Sequence, residues 1–573
     1  MQQLTPTSCG TAKRPRVSVL HDGLLAIATF CLLTIASLTS TNSAWAQVTN
    51  SGQTSAVSHT VAELETVIQQ GRTLELQGRW SEALNHYQQA LKALPDNYQI
   101  KTRRSIARIH YDLNRRYADS TYVDSLATIP SNNALNLYAE ILLKIQSYYV
   151  VQPDWDNILR HGLACMEIAL SDPKFIDHNL PQVDRSKIQP AIDEMNSVLT
   201  KYSIQSRQDA YLIASNVCRK MQNRLGLPVQ TTVYEFTCGA IIALDPYSAF
   251  MTSNQYGETM SQIEGNFVGL GVELNTRADH LDIVNVIANG PAGRAGIIGG
   301  DKIIRVDGKT VEELGAEAAA DALRGKAGSS VELTVVDLKG QTRHLRLQRQ
   351  RVEIPSVENV SIVDKESGVA YVKLSNFQKT TTRDFDAALW QLHRQGMRSL
   401  IVDVRGNPGG LLNSSVEISD RFIKNGVIVS TRGRNPLEDY VHRAKADNTW
   451  GVPLVVLIDS DSASASEIFA AAINDHRRGV IVGQQSYGKG SVQGIFQLNV
   501  GGGGVRLTTA KFYSPDGSPI SQVGVTPEVP VQLVARENPE AETNSDSEDD
   551  TLRIAINIAK ANLQGQRPVA NTK

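Results

Sequence analysis

The chain has 573 residues, a formal net charge of −2 and 41% hydrophobic residues. That length allows about three to five domains. The near-neutral balance gives no bulk attraction to nucleic acid or to an anionic membrane, so neither is expected as a partner on charge grounds. The one strongly apolar stretch is N-terminal. Lys13, Arg14 and Arg16 precede the apolar run 24–38 (LLAIATFCLLTIASL), and Ala44-Trp45-Ala46 follows as a small-x-small cleavage signal. Residues 1–46 therefore read as a secretory signal peptide, cleaved after Ala46, and imply export to a periplasm or cell envelope. The alternative is an uncleaved membrane anchor, the only route to membrane association. Cys9 and Cys31 lie in this segment. The mature chain keeps Cys165, Cys218 and Cys238 in apolar, helix-like contexts without metal-ligand spacing, as expected of buried free thiols, with one disulfide left open.

Residues 47–60 are small and polar and read as a linker. Over 64–97, Gly71, Ala83, Tyr87, Ala90 and Pro95 fall at helix-turn-helix offsets. This segment resembles a tetratricopeptide repeat, in which small residues let two helices approach and proline ends the second. Leu113, Tyr117 and Pro130 give a weaker echo, so 61–131 is expected as repeat-like hairpins, packed on the next domain and offering a surface for a protein partner. Residues 132–258 stay helical by periodicity, with Leu142, Ile145 and Tyr149 on one face and breaks near Asp172-Pro173 and Gly226.

From 266 to 352 the pattern resembles a PDZ domain. Phe267-Val-Gly-Leu-Gly-Val resembles the carboxylate-binding loop, where glycines let the amides of Leu270, Gly271 and Val272 turn inward as a nest for a substrate's C-terminal carboxylate. A strand over 283–287, the Gly290-Pro-Ala-Gly-Arg-Ala-Gly and Gly300-Asp-Lys-Ile-Ile-Arg-Val-Asp-Gly segments, and a helix over 311–323 complete the pattern.

Residues 356–535 alternate strand, helix and strand, which argues for an α/β core. Strands are expected at 369–374 (VAYVKL), 399–404 (SLIVDV) and 452–458, and a helix at 382–395. The turn Arg405-Gly-Asn-Pro-Gly-Gly, between a strand and a helix, is a ready anion site. The stretch 460–493 (SDSASASEIFAAAINDHRRGVIVGQQSYGKGSVQ) carries the chemistry. A serine at a helix N-terminus and an isolated lysine on a nearby turn can act as nucleophile and base, because a buried lysine loses its charge readily. Ser464-x-x-Glu467 also reads as a capping box. Gly483 to Lys489 nearly spells a phosphate-binding loop, but Gly490 stands where the metal-binding hydroxyl is needed and a strand follows, so a nucleotide site is rejected.

Ser-Ala-Ser464-Ala-Ser-Glu, Asp475 and Gly-Lys489-Gly-Ser-Val-Gln493 resemble the core of the carboxyl-terminal processing, or tail-specific, proteases. The segments 144–163 and AIIALDPYSAFM resemble the helical N-terminal region of the same family, and 505–513, Pro515-Asp-Gly and Val523-Gly-Val-Thr-Pro-Glu its closing segment. The resemblance implies a multidomain protein with a helical N-terminal region, a PDZ domain and an α/β protease core of the ClpP/crotonase-like type. It implies Ser464 as nucleophile, Lys489 as base and Gln493 as the residue orienting the lysine. The oxyanion donors would be Ala465 with Gly409 or Gly410, and Asp475 is given a structural role. No cofactor or metal is needed, and the substrates are proteins or peptides with a free C-terminus. Two rivals are a non-catalytic PDZ and repeat scaffold, which the intact Ser464, Lys489 and Gln493 oppose, and an acyl-CoA enzyme, which the PDZ segment and export oppose. Residues 536–550 read as an acidic linker and 551–573 as a last amphipathic helix and tail.

Overall fold

The computed structural model describes residues 54–445, 449–531 and 549–565. The expected signal peptide, most of the acidic linker and the last eight residues lie outside that set. Among the described residues no helix is long and apolar enough to cross a membrane. The first helix, Thr54–Leu76, begins inside the stretch expected as linker. The reason is visible in the sequence: Val57, Val61, Leu64 and Ile68 keep a helical period across the supposed boundary.

From Gly71 onward a run of helices forms one body. A Cβ on Gly71 would lie 2.2 Å from the Tyr87 ring, so the glycine makes room for the helix Trp80–Ala93. The Tyr87 hydroxyl donates to Glu75, which Arg103 also pairs. Leu113, Tyr122, Leu126 and Ile129 share a core with Leu137, Ile141 and Ile145, so the hairpins and the helices that follow are continuous. The expected breaks have clear causes. Asp172 ends Trp155–Ser171 and caps Pro173–Asn179 with its carboxylate, and Gly226 takes a left-handed conformation after Arg207–Leu225. Helix Val229–Ile242 is buried on nearly every face, and its Gly239 meets Gly162 backbone to backbone. Glu235 on this helix is fully buried and paired with Arg116. Cys165, Cys218 and Cys238 are free and buried, and burial pushes the Cys218 and Cys238 thiols up to about 12.

The expected helical region 132–258 is interrupted before the helix Ser253–Glu264. Ala249–Met251 is a strand, paired antiparallel with Gly504–Tyr513 near the other end of the chain. Its hydrogen-bonding partner lies about 250 residues away in sequence, so no local pattern marks it. The next body runs from Asn266–Gly269 to Gln350–Glu353, which pair with each other. Between them Val272–Thr276, Leu281–Val286, Lys302–Val306, Ser330–Val336 and Thr342–Gln348 form a sheet in that order. The helix expected over 311–323 is two pieces, Val311–Leu314 and Ala316–Asp321, because Gly315 at φ +81° and ψ 140° cannot continue a helix.

The α/β core is a six-stranded sheet in the order Val357–Asp364, Val369–Leu374, Ser399–Asp403, Leu454–Ile458, Val480–Gly483, Val529–Pro530, parallel except for the first strand. Alternate residues serve different layers, as a two-period strand buried on both faces requires. Leu400, Val402, Leu454 and Val456 pack under Thr381–Arg394, Leu412–Asp420 and Ala465–Asp475. Ile401, Val455 and Leu457 face the final helix, Asp550–Leu563, through Ala555, Ile558 and Ala559. Asp549 caps that helix and takes a two-pronged bond from Arg405.

Candidate active site

Two neighbouring parallel strands, Ser399–Asp403 and Leu454–Ile458, end side by side, and the turns that follow them are bonded together. Asp459 accepts from the Gly406 amide at 3.0 Å, the Ser462 hydroxyl donates to Val404 O at 2.8 Å, and Ala463 N–H and the Ser466 hydroxyl both donate to Asn407 O. This brace holds Ser464 at the first turn of Ala465–Asp475 with φ 57° and ψ −111°, a conformation that L-residues rarely adopt. The helix N-terminus, with its partial positive charge, lies next to it.

Gly409 packs directly on this point. A Cβ there would lie 2.8 Å from Ser464 Cβ and 2.9 Å from Ala465 N. Its own amide is engaged, donating to Asn407 Oδ1 at 2.8 Å. Among the described residues the amides of Gly410 and Ala465 donate to no protein acceptor.

Glu467 joins the serine to the lysine turn. Its carboxylate is fully buried and accepts from Ser464 N–H at 2.7 Å, Lys489 N–H at 2.9 Å, Gly488 N–H at 2.6 Å and the Ser486 hydroxyl at 2.6 Å. Ser464 and Lys489 thus bind the same oxygen, Oε2. Burial pushes the Glu467 carboxyl pKa up, against the four donors that pull it down. The sequence suggested only a helix cap here; the second half of its role needs the lysine turn, 21 to 22 residues away, folded against it.

Burial lowers the Lys489 pKa, and Arg506 nearby lowers it further, while Glu467 and Asp245 oppose the shift. No hydrogen bond joins Ser464 Oγ to Lys489 Nζ, and none joins Lys489 Nζ to Gln493. Gln493 donates to Thr508 Oγ1 at 2.9 Å and Ser491 Oγ at 3.2 Å, and its Oε1 is buried without a partner. Lys489 Nζ instead lies 5.3 Å from the centre of the Tyr247 ring. Tyr247 lies within the AIIALDPYSAFM segment, where nothing in the sequence marks it as a neighbour of Lys489. Asp475 is at the far end of the Ala465–Asp475 helix and accepts from the Asp516 amide. In the PDZ-like body, the amides of Leu270 and Gly271 donate to no protein acceptor among the described residues, while their carbonyls accept from Ala292 and Ile287. Val272 begins the Val272–Thr276 strand.

The sequence pattern described as peptidase family S41 matches residues 368–531, and that of the PDZ domain matches 283–337. The α/β core and its serine turn are therefore those of a serine peptidase carrying a PDZ domain. A carboxy-terminal-processing protease of Bartonella bacilliformis is 36% identical over 303 residues, 51% of this chain and 68% of that protein. One from Picosynechococcus is 34% identical over 317 residues, 54% of this chain and 75% of its own. A solved structure titled photosystem II D1 C-terminal processing protease covers 70% of this chain and 93% of its own at 24% identity, with a TM-score of 0.38. The chain belongs to the carboxy-terminal-processing protease family.

Proposed function

We propose that this peptidase is an exported endopeptidase with a Ser464–Lys489 dyad, acting on proteins or peptides held by their C-termini in the PDZ domain. Neutral Lys489 takes the proton of Ser464 Oγ as that oxygen attacks the scissile carbonyl. The tetrahedral oxyanion accepts from the Gly410 and Ala465 amides, each worth about 3 kcal/mol in the transition state. Protonated Lys489 then gives its proton to the leaving amine. In the second half it takes a proton from water as the water oxygen attacks the acyl carbon, and gives that proton to Ser464 Oγ as the acyl–serine bond breaks. Gln493, with its free buried Oε1, is the group that receives the lysine amine. The open amides of Leu270 and Gly271, followed by Val272, take the substrate carboxylate. The N-terminal segment 1–46 supports export to the cell envelope.

The observation that carries this reading is the Glu467 carboxylate, which binds the backbone of the serine and of the lysine at once. Ser464→Ala and Lys489→Ala, each in the full chain, are expected to lower hydrolysis of casein or of a free-C-terminus peptide by about 10³-fold or more. The thermal unfolding midpoint should stay close to that of the parent. Near wild-type turnover by either variant overturns the assignment.

A further inference from the structure

The segment Asp245-Pro-Tyr-Ser follows the buried helix Val229–Ile242 and belongs to the helical region, yet it reaches Lys489 through a ring and Gln493 through Thr508. The turn is tightly made. Asp245 accepts from Tyr247 N–H at 2.7 Å, Ser248 N–H at 2.9 Å and the Ser248 hydroxyl at 2.8 Å. On one side Ser248 Oγ accepts from the Thr508 amide at 3.3 Å, and Thr508 Oγ1 accepts from Gln493 at 2.9 Å. On the other side the Tyr247 carbonyl accepts from Arg506 Nε at 3.0 Å, and the Tyr247 ring lies under Lys489 Nζ at 5.3 Å. The ring is half-buried, with Tyr487 beside its hydroxyl, and burial raises its pKa to about 12, so it stays a neutral phenol.

We propose that Tyr247 is a positioning residue for the catalytic lysine: its ring face receives the Lys489 ammonium as that charge forms. The inference rests on Lys489 being the base. When Lys489 takes the serine proton it becomes a cation in a half-buried site where the nearby Arg506 charge opposes it. Glu467 and Asp245 offset part of that cost, but both carboxylates are already engaged by amide and hydroxyl donors. An aromatic face within about 6 Å attracts an ammonium through its quadrupole, and does so more strongly where the pair is desolvated. A neutral amine gains much less from the ring. Tyr247 therefore favours the state reached after proton transfer over the state before it, which is the condition for lowering the barrier. The Asp245 turn and the Arg506 bond fix the Tyr247 backbone from which the ring projects, so the helical region contributes to the chemistry directly and not only as a scaffold.

The test uses full-length Tyr247→Phe, Tyr247→Leu and Tyr247→Met beside Lys489→Ala, with kcat and KM measured on one free-C-terminus peptide and unfolding followed in urea. Tyr247→Phe keeps the ring face and should stay within about threefold of wild-type kcat. Tyr247→Leu should lower kcat by about tenfold with KM nearly unchanged. Tyr247→Met keeps the bulk without the ring; it should match Tyr247→Leu, and it decides the case if the leucine variant does not fold. Wild-type kcat in the folded ring-less variants, an equal loss in Tyr247→Phe, or a loss confined to KM each overturns the role of the ring. If Lys489→Ala is inactive while the ring-less variants turn over normally, the lysine assignment stands and this inference fails. If Lys489→Ala itself turns over normally, the lysine assignment fails and takes this inference with it.

Discussion

Ser464 holds φ 57° and ψ −111° because the bonds at Ala463, Asn407 and Glu467 leave its backbone no other course. A non-glycine residue in that region stores about 1–3 kcal/mol of strain. Ser464→Gly is therefore expected to be more stable than Ser464→Ala by about 1 kcal/mol in urea unfolding, both being inactive. Equal stabilities would show that the turn carries no strain. At Lys489 the folded pKa lies below the ordinary lysine value of about 10.4, chiefly through burial. A lysine base works only when deprotonated, so kcat should rise with pH through that lowered pKa and level off above it. In the window between the folded and unfolded values the unfolded chain binds more protons, so this group makes stability rise with pH there as well. A kcat profile that is flat from acid to alkaline pH, with chemistry rate-limiting, would count against the lysine.

In the proposed function, substrate capture falls to the loop between Asn266–Gly269 and Val272–Thr276. Among the described residues its Leu270 and Gly271 amides have no acceptor, while the Leu270 carbonyl accepts from Ala292 and the Gly271 carbonyl from Ile287, so the loop is held from behind and open in front. Gly271 reaches φ +78° with Val352 and Gly290 about 3.3 Å from where a Cβ would sit. Amidating a peptide's C-terminus removes a charge and an acceptor. Binding to the full-length Ser464→Ala variant should weaken by about 1.5–3 kcal/mol, read by calorimetry. Equal binding of acid and amide would leave the PDZ domain a fold without this task.

At the scale of the molecule, the catalytic sheet is covered on both faces, and one cover comes from the end of the chain. Helix Asp550–Leu563 places Ala555, Ile558 and Ala559 over Val369, Tyr371, Ile401, Val455, Leu457 and Val482. Deleting residues 532–573 would bare this apolar face and remove the Arg405–Asp549 pair. Unfolding free energy should fall by something on the order of 5 kcal/mol, or the truncated protein should self-associate. A truncated monomer with parental stability would mean that the helix contributes little. The other long-range join is the strand Ala249–Met251, which knits the helical region to Gly504–Tyr513 and delivers Tyr247 beside Lys489.

The sequence alone determined the order of helical region, PDZ domain and α/β core and three of the core's six strands, and it supplied the motif from which the dyad is proposed. These are signals of short range: a two-period run such as VAYVKL, a glycine turn, a serine at a helix start. It failed where a local pattern was ambiguous or a partner lay far off. The first helix starts earlier than its polar composition suggested, the 311–323 helix breaks at Gly315, and Ala249–Met251 is a strand because of a neighbour some 250 residues on. Only the tertiary structure decided that the Gly409 amide is occupied and the Gly410 amide open, and that Glu467 binds serine and lysine turns together. It alone placed Tyr247 against Lys489. The physical reason is common to these cases: hydrogen-bond partners and ring contacts are set by where separate turns meet, and spacing along the chain does not encode that meeting.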